Sequence, residues 1–261
     1  MNQTAISWTD VTWNPTHGCS RVSEGCRNCY AERLSLQKGF TRVPWTAANA
    51  EQNVLLKSHK LRDPYKLKEP SRIFVNSMSD LFHPLIPADY RAKIFTVMND
   101  LPQHTFQILT KRPEIGATWP GPWAANIWMG TSVENRKALP RLEALRLCPA
   151  QTRFISFEPL LEHLGLMDLS GFHWAIVGGE SGPGYRPMPH HWAVAIKDAC
   201  LSQNVAFFFK QSAAHRTELG TSLRHPDGRF WTWQQYPGHM ASPQPAPVHD
   251  YAEARVKIAP Q

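Results

Sequence analysis

The sequence predicts an α/β fold: about six to seven short parallel strands alternating with helices, wound as a partial or complete (β/α) barrel, with a small C-terminal cap. Three observations lead there. Short apolar runs rich in β-formers recur six times, as RIFVN at 72–76, FQILT at 106–110, NIWMGTS at 126–132, RFISFEP at 153–159, HWAIVGGES at 173–181 and VAFFFKQ at 205–211. Helix-like or loop crossovers separate most neighbours, the signature of strands buried on both faces. Every run ends on polar, site-like residues, which a barrel gathers on one face. An open doubly wound sheet explains the alternation as well, but brings together only the groups at its switch point.

Taken in order, a first strand is expected near 12–18. It leads into TWNPTHGCSRVSEGCRNCYAER at 12–33, and AERL at 31–34 continues helically from the third cysteine. Residues 38–70 are mixed and basic (Lys57, Lys60, Arg62, Lys66, Lys68) and read as a helix and loop crossing to the next strand. SMSDLFH follows the 72–76 run, and apolar spacing predicts a helix at about 88–100. KRPE follows 106–110 as a loop. VENR follows 126–132 and opens a helix around 135–147, and a further helix is expected at about 190–203. Residues 1–211 form the barrel in this reading. Residues 212–261 carry turn signals (HPDG at 225–228), aromatics (FWTW at 230–233) and a Pro- and Ala-rich end, so an irregular cap and a loose tail are expected.

A chain of 261 residues can bury one good core, and 42% hydrophobic content describes an ordinary soluble protein. No run of eighteen apolar residues exists, so no membrane partner is expected. The first residues lack the basic start and apolar core of a signal peptide, which points to the cytoplasm. A net charge of +7 and a pI near 9.3 lean toward an anionic partner. Ten Trp and twelve Phe are mostly core material, though aromatics also stack bases. Five cysteines in a reducing compartment do not suggest a disulfide framework, and Cys148 and Cys200 read as buried small residues.

Cys19, Cys26 and Cys29 are the informative ones. Structural zinc wants four ligands, and His17 would have to complete a Cys3His set. A redox pair of Cys26 and Cys29 leaves Cys19 idle. A [4Fe-4S] cluster uses all three and keeps one iron open, which can chelate S-adenosylmethionine (SAM). The strand ends suit such a cofactor. Ser77, Ser79 and Asp80 offer hydroxyls and a carboxylate for an amino group; Thr131, Ser132 and Glu134 offer the same for ribose. Gly178 and Gly179 let backbone approach a ligand, with Glu180 following. Lys111 and Arg112 form a cationic pair able to clamp a carboxylate or phosphate.

The blocks WTDVTWNPTHGCSRVSEGCRNCYAERL, FVNSMSDLFHPLIP, HTFQILTKRPE, WMGTSVENR, RFISFEPLLE, IVGGESGPGYRPM and FFFKQ together resemble the phage- and prophage-associated three-cysteine-motif proteins, a family of unassigned reaction related at motif level to radical SAM enzymes. The resemblance covers roughly 6–211, with a weaker echo in PDGRFW at 226–231. It implies a radical SAM-like barrel with Cys19, Cys26 and Cys29 as metal ligands. The implied activity is formation of a 5′-deoxyadenosyl radical that modifies or repairs a nucleic acid or nucleotide. That needs an electron donor, and a dedicated protein partner accompanies some members. Substrate is expected at Lys111, Arg112, Glu158 and Glu180, with Tyr30 joining the strand-end groups around the cofactor. The alternative is a non-catalytic module stapled by iron–sulfur or zinc that binds nucleic acid or a partner. The chain departs from the radical SAM pattern in having six residues between the first two cysteines, where three are usual. It also has Asn28 where an aromatic usually precedes the third cysteine. At 212–213 it has Ser-Ala in place of the family's Trp-Gly pair.

Overall fold

The computed structural model describes residues 2–246. Seven parallel strands, β1 (Val11–Trp13), β2 (Arg72–Val75), β3 (Thr105–Thr110), β4 (Ile127–Ser132), β5 (Arg153–Phe157), β6 (Trp174–Gly178) and β7 (Ala206–Gln211), lie side by side in chain order. Asn2–Gln3 adds a short antiparallel strand outside β1. Because spatial order never reverses, there is no switch point and the doubly wound alternative falls. The sheet curls into a half-barrel, in agreement with the partial barrel expected.

Side-chain alternation gives the sheet two apolar faces. Ile73, Val75, Ile108, Met129, Ile155, Phe157, Val177, Phe207 and Phe209 belong to one large core cluster. The helices α2 (Ala88–Asp100), α4 (Pro140–Arg146) and α5 (His190–Ser202) contribute Ile94, Phe95, Leu142, Leu145, Ala193 and Ile196 to it. Residues of opposite parity, Phe74, Phe154, Trp174, Ile176 and Phe208, form a second cluster around Trp8, joined by Leu109, Trp128 and Tyr236. The strands are therefore apolar on both faces, one toward helices and one toward the hollow of the half-barrel.

The expected strand at 12–18 is shorter than predicted. Pro15 has no N–H to donate, so the parallel ladder stops at Trp13. Thr16–His17 instead pairs antiparallel with Leu55–Leu56. Residues 38–70 contain no helix longer than the single turn Ala50–Asn53, followed by 3-10 turns at Ser58–Lys60 and Asp63–Lys66. KRPE opens a short helix, α3 (Pro113–Thr118), where a loop was expected. Proline at its first turn, followed by Glu114, was the available signal. The helix α1 (Tyr30–Gln37) starts directly after Cys29.

The cap is more regular than expected. Leu223–Arg224, Phe230–Thr232 and Gln244–Pro245 form a small antiparallel sheet, with the HPDG signal at its first turn. Residues 233–235, directly after Phe230–Thr232, cover the free edge of β7: Phe209 N donates to Trp233 O at 2.8 Å and Gln235 N to Phe207 O at 3.0 Å. An uncovered edge would invite pairing with other chains. The tail that the sequence suggested lies, beyond residue 246, outside the described residues. Among the described residues no helix is long and apolar enough to cross a membrane.

A candidate site at the strand ends

A cavity of about 500 Å³ opens at the C-terminal ends of the strands. Its wall takes in Cys19, Cys26 and Cys29 from the loop after β1, and Tyr30 from α1. From the strand ends come Ser77, Ser79, Asp80, Lys111, Arg112, Ser132, Glu158, Gly179 and Glu180, and Trp8, Phe74 and Leu109 line its apolar part. Thirteen of the sixteen residues expected at a site thus share one cavity. Thr131, Glu134 and Gly178 stand off its wall, and each has a defined neighbour. Thr131 Oγ1 donates to Thr110 O at 2.9 Å, while Gly178 faces Glu158. Glu134 reaches the cysteine loop.

The charged residues are paired, and most pairs hold that loop. Glu134 is fully buried. It accepts from Ser23 Oγ at 2.7 Å, Lys111 Nζ at 2.5 Å and Arg141 Nη1 at 2.8 Å. A Cβ on Gly25 would stand 2.4 Å from Glu134 Cγ, so only glycine lets the loop lie this close. Burial pushes the Glu134 carboxyl up, but Lys111, Arg141 and Ser23 outweigh it and hold the group below the usual carboxylate range. Glu134, expected near a ribose, is the centre of this hub.

Glu180 forms a second anchor. Arg186 grips both its oxygens, and Asn28 Nδ2 donates to Oε2 at 2.9 Å. Arg186 also reaches Glu24 Oε1 at 3.0 Å. Asn28, out of pattern in the sequence, therefore ties the Cys26–Cys29 segment to the end of β6. Arg112 is the third anchor. Its guanidinium donates to Asp80 Oδ2 at 3.0 Å, Ser20 O at 2.9 Å and Ser20 Oγ at 3.1 Å, and comes within 3.6 Å of Cys19 Sγ. Lys111, Arg112 and Glu180, expected to grip substrate, are thus engaged within the protein.

One pair is free of the loop. Lys210 Nζ meets Glu158 Oε1 at 2.5 Å, both on the cavity wall. Gly179 is needed for backbone packing, since a Cβ there would lie 2.2 Å from Ala213 N. Ser77 and Ser79 pair with Asn14 and Thr16. Tyr30, 41% exposed, donates to Ser77 O at 2.7 Å.

The three thiols form a donor set one ligand short of a closed tetrahedral site. Among the described residues no three His, Cys, Asp or Glu side chains converge closely enough to hold one metal ion. A tetrahedral zinc site draws its sulfurs to within about 3.8 Å of each other, given Zn–S bonds of about 2.3 Å. His17 also points elsewhere: it is buried, with Nε2 2.9 Å from Ser35 Oγ and its ring against Phe40 and Trp45. Burial pushes the Cys19 thiol up to about 12, with Asp80 adding and Arg112 opposing. Burial also raises Cys29, against which Lys111 acts. Metal binding here must therefore displace protons. Cys148 and Cys200 are buried far from these groups in sequence and belong to the main core, as expected.

Arg141, Arg186, Ser23 and Asn28 were not read as site residues. Arg141 sits inside an ordinary-looking helix, and only the fold brings it to Glu134. Arg186 follows a Gly-Pro-Gly-Tyr turn that had no visible destination.

No curated protein and no solved structure matches the chain. A family model described as "Protein of unknown function (DUF5131)" matches residues 3–237, spanning the half-barrel, the cysteine loop and most of the cap. The chain belongs to that family.

Proposed function

We propose that Cys19, Cys26 and Cys29 hold a [4Fe-4S] cluster, that SAM binds beside it, and that the protein is a radical SAM-like enzyme acting on a nucleic acid or nucleotide. The observation carrying this reading is that three thiols, supplying one ligand fewer than a closed cluster needs, share the wall of one cavity with the polar strand ends. When bound, the pair would supply one-electron reductive cleavage of a sulfonium, fed by an external electron donor.

The chain's own residues do the holding. The three anchors fix the loop before any guest arrives, so little ordering entropy remains to be lost on binding. Lys210 and Glu158 offer a cation and a carboxylate to polar groups in the cavity. Trp8, Phe74 and Leu109 exclude water from its apolar side. Tyr30 gives a ring face for a base, and Arg33 at the same cavity gives positive charge for phosphates.

The test is turnover. Anaerobically reconstituted, reduced protein is expected to convert SAM to 5′-deoxyadenosine, detected by mass spectrometry, and to do so faster with single-stranded DNA or RNA present. Intact SAM after prolonged incubation, with iron and sulfide fully loaded, would overturn the enzyme reading in favour of a metal-bearing binding module.

A further inference from the structure

We propose that Arg112 sets the redox poise of the cluster by directing a charge-assisted hydrogen bond at Sγ of Cys19, and that Asp80 aims it. This rests on the cluster reading above. Arg112 is 6% exposed, and both terminal nitrogens of its guanidinium have partners. Nη2 donates to Ser20 O and Ser20 Oγ; Nη1 faces Asp80 Oδ2 at 3.0 Å and Cys19 Sγ at 3.6 Å. Asp80 cannot swing away. Its Oδ1 accepts from Thr110 Oγ1 at 2.6 Å and Phe82 N at 3.0 Å, and its Oδ2 accepts from Lys111 N at 3.2 Å. On the far side, Ser20 Oγ lies 2.8 Å from His83 Nε2. A planar fork so fixed presents one N–H to the sulfur and has no room to turn.

The consequence has a sign. A thiolate-ligated cluster is anionic, and one-electron reduction makes it more so. A cation donating to a ligand sulfur stabilises the reduced form more than the oxidised form and raises the potential. Asp80 partly offsets this. The two residues therefore act in opposite directions on one equilibrium.

Midpoint potentials of the reconstituted full chain, measured by redox titration without SAM, test this. Arg112→Gln is expected to disfavour reduction at least tenfold, which for one electron is a fall of about 59 mV. Asp80→Asn, whose amide oxygen still accepts from Arg112 and keeps it aimed while removing the negative charge, is expected to raise the potential, and Arg112→Lys to fall between Arg112→Gln and the wild type. Equal potentials for Arg112→Gln and wild type, or shifts of the same sign in Arg112→Gln and Asp80→Asn, would overturn the proposal. Should Arg112→Gln fail to fold or load, the wild type carries its own test. The Cys19 iron–sulfur stretch is expected to shift in D2O by resonance Raman, and an unmoved stretch would overturn the proposal. A wild type that takes up no iron overturns the cluster reading itself, and this inference with it.

Discussion

Replacing Glu134 with Gln is expected to destabilise the protein by about 3 kcal/mol and to loosen the cysteine loop. Removing one partner of a buried ionic network leaves the others uncompensated, typically at a cost of about 3–5 kcal/mol. The lower end applies because Lys111 and Arg141 retain 20% and 15% side-chain exposure and can reach water. For a chain of this size that is a fall in Tm of about 6–12 °C. Trypsin is expected to cut after the exposed Arg27 much faster than in the wild type, because Ser23 and Gly25 lose the carboxylate they lie against. The exposed helical pair Lys93–Asp89 is the control, and its loss is expected to cost under about 0.5 kcal/mol. The effect depends on pH in a definite direction. The folded-state pKa of Glu134 lies below its unfolded value. Its contribution is therefore present above about pH 4.3 and lost as pH falls through the folded value. The gap between wild type and Glu134→Gln should close on acidification; a gap constant with pH would count against the hub.

Substituting Ala at Cys19, Cys26 or Cys29 is expected to abolish iron binding while leaving Tm within a few degrees of the iron-free wild type. Loss of one of three ligands removes the cluster. The fold has no need of it, since Glu134, Glu180 and Asp80 anchor the loop through Ser23, Asn28 and Arg112. A metal staple behaves oppositely: there the binding energy is folding energy, and chelation or ligand loss unfolds the chain. Iron analysis and thermal melts on the three variants decide between them. Unfolding of all three would mean that the site is a staple.

The strands were legible because their burial is written into them. Residues 205–209 and 174–177 are apolar at successive positions, as expected of a strand covered on both faces. Most of the cavity was legible too, because polar residues at strand ends must meet once the sheet curls. The pairing was not. Lys111 and Glu134 are 23 residues apart, Glu158 and Lys210 are 52, and Asn28 and Glu180 are 152. A sequence shows which residues carry charge, but not which opposite charge the fold will place beside them. Lys111, Arg112 and Glu180 therefore read as open to a ligand, while in the folded chain each already has a partner. Asn28 read as a missing aromatic, and its amide instead holds Glu180. The first strand was overestimated for a local reason, Pro15, and α3 was missed despite a proline in the position that starts helices.

In the function proposed here, three thiols carry a cluster whose open iron faces the cavity. The most direct measurement is the EPR spectrum of the anaerobically reconstituted, dithionite-reduced protein, recorded with and without SAM. A [4Fe-4S] signal whose g values shift on adding SAM is the expected result. A fully loaded cluster whose spectrum is unchanged by SAM would contradict it.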